Sequence, residues 1–298
     1  MSNTFNNITA TELGGGVILF KEAFSLDWDS TRELFEEFVS VERDSMYTAG
    51  VNPETGEPCY FNRSGYIFDK GGIDMMPRRA ANAHQDKRKN VIELFNFLES
   101  SRDKCLLEYM VRHPLAYKNI WWKVKGHIVS YSVNKGGLFL GTHSDSSVDY
   151  MYGIDQPKDQ LPTKNTLSCV MYINDCVESE DLVTESTFFG GHHSFDYLGV
   201  NYVPKKGDIL LFPSNFIASH EVTPVTAGTR YSYLGWYSHG SPNPNLNETI
   251  VDPLTDAEEA QRATNVYMPT LRADFRAYLE ANIADKSHQG YSLTSRIN

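Results

Sequence analysis

Three side chains able to share a metal ion stand in two short stretches of this 298-residue chain. His143-Ser144-Asp145 lies in GTHSDSSV, and His220 follows the apolar run Ile209-Leu210-Leu211-Phe212. In an extended strand alternate side chains point to the same side, so His143 and Asp145 would project together while Ser144 turns away. His220 must then come from a second strand. Two imidazoles and one carboxylate on one face leave positions of an octahedral iron open for a chelating acid and for oxygen. Ten residues after His220, Arg230 supplies a permanently charged, planar, two-pronged donor, the side chain best suited to a carboxylate. A His-x-Asp alone is a weak signal, and an arginine in a strand is usually an ion pair. It is their order and gaps that make a site.

Such a site needs strands to carry it, and from Ile120 onward the sequence offers them. Ile120–Val124, His127–Val133, Leu138–Leu140, Leu167–Ile173, Tyr197–Val200, Ile209–Phe212 and Arg230–Trp236 are short apolar or alternating runs. Turn residues separate them at Asn134-Lys135-Gly136-Gly137, Gly190-Gly191, Lys205-Lys206-Gly207-Asp208 and Ala227-Gly228. Many short strands punctuated this way imply a sandwich or a barrel.

The N-terminal part reads differently. Residues 1–16 are polar, and Val17-Ile18-Leu19-Phe20 has the length of a buried strand. Ser30 and Glu33 have capping-box spacing, with Leu34, Phe35, Phe38 and Val39 at helical intervals behind them. Turn signals dominate 43–86, an irregular region long enough to suggest a functional loop. Arg78-Arg79 with Lys87-Arg88-Lys89 form the most basic patch, read as a solvated face or as a contact to an acidic substrate. Val91, Leu94, Phe95, Leu98, Leu106, Leu107, Met110 and Val111 predict one long or two short helices, stopped by Pro114. After His239 strands are expected to cease. Thr255 and Glu258 have capping-box spacing, and Tyr267, Leu271, Phe275 and Leu279 predict one face of a helix suited to core packing, to a lid or to a homodimer contact. With no clean linker in view, 1–298 reads as a single domain. Its parts are an N-terminal layer and loop (1–118), a β core (119–239) and a C-terminal helical extension (240–298).

Composition narrows the function classes. A formal charge of −11 disfavours nucleic-acid wrapping, which needs a basic face. Cys59, Cys105, Cys169 and Cys176 form no CxxC pair, so reduced thiols are the simpler reading. The sequence has no eighteen-residue apolar run and no basic start before an apolar core, so a cytoplasmic protein without a membrane span is expected.

Several segments together resemble a known family. They are His143-Ser144-Asp145, the strand Thr166–Asn174 with Tyr172-Ile173-Asn174, Gly190-Gly191, Pro204–Phe212, and His220–Val225 through Gly228-Thr229-Arg230 to Trp236. Over roughly residues 120–238 the chain resembles the iron(II)- and 2-oxoglutarate-dependent dioxygenases, in particular the prolyl 4-hydroxylase-like branch. The resemblance implies a mainly β fold with flanking helices around a double-stranded β-helix, a jelly-roll or cupin-like core. It implies Fe(II) on His143, Asp145 and His220, with 2-oxoglutarate held at its distal carboxylate by Arg230 and by the hydroxyl of Tyr172. Tyr131 would line the same pocket, although the spacing from Tyr131 to His143 departs from the family pattern. Arg230 is another departure, since collagen-type enzymes carry lysine there and oxygen-sensing ones arginine. His192-His193, just after Gly190-Gly191, are left out of the metal set because a triad is already complete.

The implied reaction consumes O2 and decarboxylates 2-oxoglutarate to succinate and CO2 while a C–H bond is hydroxylated, with ascorbate as an accessory reductant. Asp145 favours hydroxylation, because halogenases of the superfamily leave that position to chloride. The expected substrate is an amino-acid or peptidyl side chain, prolyl-like. Oxidation of a free small metabolite by hydroxylation, desaturation or cyclisation is the alternative, and a non-catalytic jelly-roll binding protein is the alternative of another class.

Overall fold

The computed structural model describes residues 8–40, 83–132, 138–145 and 165–239 continuously, with shorter pieces at 48–51, 53, 56, 58–61, 67–68, 265–268, 273, 276–278 and 281. The chain opens with a hairpin of β1 (Thr9–Gly14) and β2 (Val17–Lys21), followed by α1 (Trp28–Ser40). Strands β3 (Thr48–Val51), β4 (Pro58–Phe61) and β5 (Ile67–Phe68) form a separate antiparallel three-stranded sheet. Helices α2 (Lys89–Arg112) and α3 (Pro114–Asn119) come next. They lead into β6 (Trp122–Ser132), β7 (Leu138–His143), β8 (Asn165–Tyr172), β9 (Asp175–Cys176), β10 (Thr187–Gly190), β11 (His193–Phe195), β12 (Val200–Tyr202), β13 (Ile209–Pro213), β14 (His220–Ser238) and β15 (Asn265–Tyr267).

The nineteen-residue β14 organises the core. Its C-terminal half pairs with β6 on one side and β8 on the other, and β8 continues through β13 to β2 and β1. Its N-terminal half pairs instead with β7, β10 and β11. Register shifts between His220, Val222 and Val225 mark where the ladder is broken and the strand bends. One strand shared by two differently composed sheets curls them around a common interior, the double-stranded β-helix.

Strand alternation divides the apolar residues into two cores. Ile18, Phe20, Cys169, Met171, Ile209, Leu211, Tyr231, Tyr233 and Tyr237 face the helices, where they meet Phe35, Phe95, Leu98 and Leu106. Val17, Leu19, Val129, Tyr131, Val170, Tyr172, Leu210, Phe212, Leu234 and Trp236 face the interior of the curl. Burial on both faces explains why Val17–Phe20 and Ile209–Phe212 are unbroken apolar runs. On α2, Val91, Leu94, Phe95, Leu98, Arg102, Cys105 and Tyr109 recur at intervals of three and four and form its buried stripe.

Several local expectations are corrected. Residues 9–14 are strand, because β2 offers an edge that a polar segment can complete. α1 starts at Trp28, and the hydroxyls of Ser30 and Thr31 donate to Asp27 O at 3.2 and 2.6 Å, so Ser30 is not an N-cap. Pro114 ends α2 and sits in the first turn of α3, where its missing N–H costs nothing. The segment expected as strand at Tyr197–Val200 is a 3-10 turn at Asp196–Leu198 followed by β12. Tyr267 belongs to β15, which pairs with β6, rather than to a helix, so strands do not cease at His239. Arg88, from the basic patch, is paired with Asp86 and Glu37. Arg78-Arg79, Thr255, Glu258, Leu271, Phe275 and Leu279 lie outside the residues whose side chains are described. Tyr278 donates to Glu108 on α2 and packs against the helical core. Among the described residues no helix is long and apolar enough to cross a membrane.

Candidate metal and acid-binding site

The bend of β14 brings its first residue opposite the last residue of β7. His220 and His143 are cross-strand partners, with ring centroids 4.3 Å apart. Asp145 lies in the turn just beyond β7 instead of continuing the strand, and the hydroxyl of Ser144 donates away to Ser214 O at 2.9 Å. Asn165 Nδ2 donates to Asp145 O at 3.1 Å and holds the turn in place. Asp145 Oδ1 then lies 3.3 Å from His143 Nε2, and Oδ2 lies 3.9 Å from His220 Nε2. One donor atom from each of the three falls within 4.8 Å of the others.

The protonation pattern suits a cation. His220 Nδ1 faces Ala218 O at 3.1 Å. A carbonyl only accepts, so Nδ1 carries the hydrogen and Nε2 presents its lone pair to the site. Burial is the main reason the His220 pKa falls to about 4, which keeps the ring neutral at physiological pH. For Asp145 burial acts in the opposite sense, but attraction to His220 and bonding to His143 and Ser168 outweigh it and hold the carboxyl well below its ordinary value. Oδ2 of this buried carboxylate has no hydrogen-bond partner. An orphaned carboxylate oxygen beside the His220 lone pair and close to His143 fits a divalent metal, and a buried unpaired charge would otherwise be costly.

The three donors line one wall of a cavity of ≈ 360 Å³, open mouth included. Val129, Val170, Val222 and Leu234 line it as well, and Arg230, Tyr131, Ser232 and His193 supply its other polar groups. Arg230 is 1% exposed, and its Nε and Nη1 have no partner. Its guanidinium carbon lies 5.1 Å from the Tyr131 ring centroid and 5.4 Å from that of Tyr172, so two aromatic faces fix it. Tyr131 is also its cross-strand partner on β6. Burial raises the Tyr131 pKa to about 12 and raises that of Tyr172 further, so both stay protonated. Gly191 leaves the space that Arg230 occupies: a Cβ there would meet Val225 Cγ2 at 2.7 Å and Arg230 Cδ at 3.1 Å, and its φ of +60° disfavours side chains besides.

Three residues given no site role by sequence reasoning complete the picture. Asn174 donates through Nδ2 to Thr229 O at 2.8 Å and accepts from Tyr231 N–H at 2.9 Å, which clamps the backbone on both sides of Arg230. Ser232 follows Arg230 by two residues on the same strand face and has a buried hydroxyl without a partner. Period-two alternation alone would have found it. His193, left out of the metal set in the sequence analysis, is buried in the cavity wall on β11, stacked on Phe195 at 4.8 Å and 10°. His192 beside it faces away, within 3.2 Å of Asn201 Nδ2.

Two curled sheets enclose two histidines and one carboxylate, with a buried arginine among the lining residues, a candidate metal and acid site in a double-stranded β-helix. Residues 126–238 match the family model of the 2OG-Fe(II) oxygenase superfamily, so the resemblance carried by the His-x-Asp and His220–Trp236 motifs stands for this segment. Curated relatives include a PKHD-type hydroxylase of Acinetobacter baumannii, 34% identical over 99 residues that make up 33% of this chain and 37% of the relative. A PKHD-type hydroxylase of Burkholderia lata is 26% identical over 134 residues, 44% of this chain and 52% of the relative. The chain thus spans about two fifths to one half of these relatives. Similar solved structures include a Trichoplax adhaerens prolyl hydroxylase in complex with a hypoxia inducible factor oxygen degradation domain peptide fragment (16% identity, TM-score 0.44, 80% of this chain and 88% of that one). A Pseudomonas putida prolyl-4-hydroxylase is another (17%, TM-score 0.39, 76% and 94%). At such distances the fold rests on the strand pairing itself.

Proposed function

We propose that this protein is an iron(II)- and 2-oxoglutarate-dependent dioxygenase. It would hydroxylate an unactivated C–H bond of an amino-acid or peptidyl, prolyl-like substrate while 2-oxoglutarate is decarboxylated to succinate and CO2. The observation that carries the reading is the orphaned Asp145 carboxylate between two histidines in the same small cavity as a buried arginine with unpartnered donors. A metal alone would explain the triad, but a buried, unpaired guanidinium in the same cavity calls for an anion as well.

Each residue has a role under this reading. His143, Asp145 and His220 would hold Fe(II) by three protein donors, and the carboxylate offsets part of its charge. Bound iron with 2-oxoglutarate supplies the oxygen activation and the C–H cleavage. Arg230 orients the acid through its distal carboxylate, Tyr131 and Tyr172 keep the guanidinium in place, and Asn174 fixes the strand beneath it. Val129, Val170, Val222 and Leu234 keep water away from the reacting atoms.

The test is aerobic incubation with iron(II), 2-oxoglutarate and ascorbate, with succinate measured across prolyl peptides, free amino acids and small metabolites. Succinate formation stimulated by a prolyl peptide or amino acid, with one oxygen atom added to that substrate, is expected. Stimulation by a free metabolite alone would move the substrate assignment to the small-molecule class. Absence of succinate above background throughout would leave a non-catalytic binding protein.

A further inference from the structure

Among the polar groups lining the cavity, His193 has no role in the family resemblance. The residue is 1% exposed, and its ring lies between Tyr172 and His220: Nδ1 is 2.8 Å from the Tyr172 hydroxyl, and the ring centroid is 4.9 Å from that of His220. Nε2, on the opposite edge of the ring, is buried with no hydrogen-bond partner.

The direction of the Tyr172–His193 bond follows from the acceptors in reach of the hydroxyl. Among the described residues His193 Nδ1 is the hydrogen-bond partner of the Tyr172 hydroxyl, and the Arg230 guanidinium beside the Tyr172 ring has no acceptor to offer. The hydroxyl is buried and must place its single proton on an acceptor, so that proton is directed to His193 Nδ1. An Nδ1 that accepts carries no hydrogen, and the neutral ring then carries its hydrogen on Nε2. The link from Tyr172 to His193 therefore ends in an N–H donor buried in the cavity wall, without an acceptor among the described residues. A buried donor left without an acceptor is costly, so a ligand oxygen is the natural partner.

We propose that His193, as the neutral Nε2–H tautomer, binds the carboxylate of the oxo acid that Arg230 holds. It replaces the Tyr172 hydroxyl as donor, because the proton of that hydroxyl is committed to Nδ1. Tyr172 becomes a positioning residue that sets the tautomer and does not touch the acid. This rests on the function proposed above, and it departs from the role the family resemblance gives Tyr172.

Two measurements test it. In protein labelled with 15N-histidine and loaded with Zn(II) and 2-oxoglutarate, two-bond proton–nitrogen correlations should show His193 Nδ1 bare and Nε2 protonated. A protonated Nδ1 with a bare Nε2 would overturn the proposal, and this reading needs no variant to fold. Calorimetry of 2-oxoglutarate binding to Mn(II)-loaded protein is the second. His193→Phe keeps the ring stack and should weaken binding roughly ten- to a hundredfold, the worth of one hydrogen bond to a charged acceptor, with Mn(II) affinity unchanged. His193→Gln places an amide N–H near the Nε2 position and should bind within about threefold of wild type, whereas His193→Asn should behave like His193→Phe. Unchanged 2-oxoglutarate affinity in His193→Phe, alongside lost binding in Arg230→Met, would sink the role of His193 and leave the proposed function standing. Wild-type protein that takes Mn(II) but no 2-oxoglutarate would overturn both.

Discussion

Gly235 sits between Leu234 and Trp236 on the half of β14 that carries Arg230, and its α-carbon faces the helical layer where Arg102 is buried. A Cβ at this position would lie 2.1 Å from Arg102 Nη1, 3.0 Å from its Cζ and 3.1 Å from Gly126 Cα. Ordinary contact needs about 3.5 Å, so in Gly235→Ala the guanidinium must retreat by about 1 Å or more. Arg102 is fully buried, and its Nη2 donates to Glu99 Oε2 at 2.9 Å and to Val124 O at 2.8 Å. Such a displacement breaks both bonds. Separating a buried ion pair costs about 3–5 kcal/mol. The low end applies, because Lys123 Nζ remains 2.9 Å from Glu99 Oε2 and Tyr233 still donates to Oε1 at 2.7 Å. Urea unfolding followed by far-ultraviolet circular dichroism should therefore show Gly235→Ala destabilised by about 3 kcal/mol. In an Arg102→Met background the alanine meets a flexible, uncharged chain, and the same substitution should cost less than about 1 kcal/mol, a coupling of about 2 kcal/mol. A Gly235→Ala protein within about 0.5 kcal/mol of wild type, or an equal cost in both backgrounds, would refute the reasoning.

Further outcomes follow from the site and its surroundings. Arg230→Met should weaken 2-oxoglutarate binding to Mn(II)-loaded protein by about 2–5 kcal/mol, roughly thirty- to several-thousandfold by calorimetry, while leaving Mn(II) affinity intact. Asp145→Ala should abolish stoichiometric Mn(II) binding by equilibrium dialysis, since it removes the only carboxylate of the triad. His84 lies 3.0 Å from Gly126 O, and burial is the main reason its pKa falls from 6.5 to about 4. A lowered histidine pKa means the unfolded chain takes the proton first, so this contribution is complete above pH 6.5 and is lost as the pH falls towards 4. The loss approaches about 3 kcal/mol. Urea unfolding at both ends of that window should show a smaller acid penalty in His84→Asn than in wild type, and equal penalties would remove His84 as its source.

The parts of the fold legible in the sequence are those whose signal is local. Val17–Phe20, Cys169–Tyr172 and Ile209–Phe212 are apolar because both faces of their strands are covered, and a run of that length reads as strand without knowledge of its partners. β11 is three residues long and β1 is polar, and each exists because a neighbouring edge needed pairing, which no window of sequence records. Tyr267 fell on a helical spacing by coincidence, and its pairing with Trp122 on β6 decided otherwise. His143, Asp145, His220 and Arg230 were legible because their types and gaps carry the chemistry. Asp145 nonetheless reaches the site from a turn, held by Asn165 from β8. His193 was passed over because the triad was already complete without it. Only the pairing of β11 with β14 turns it inward, against Tyr172.

The central claim is that one cavity holds a metal on His143, Asp145 and His220 and an oxo acid on Arg230. A crystal grown with Mn(II) and 2-oxoglutarate, with data collected at the manganese edge, tests it most directly. The account predicts one anomalous peak bounded by the Nε2 atoms of both histidines and the Asp145 carboxylate, with the distal carboxylate of the acid on the guanidinium of Arg230. A peak elsewhere, or an acid seated away from Arg230, would contradict it.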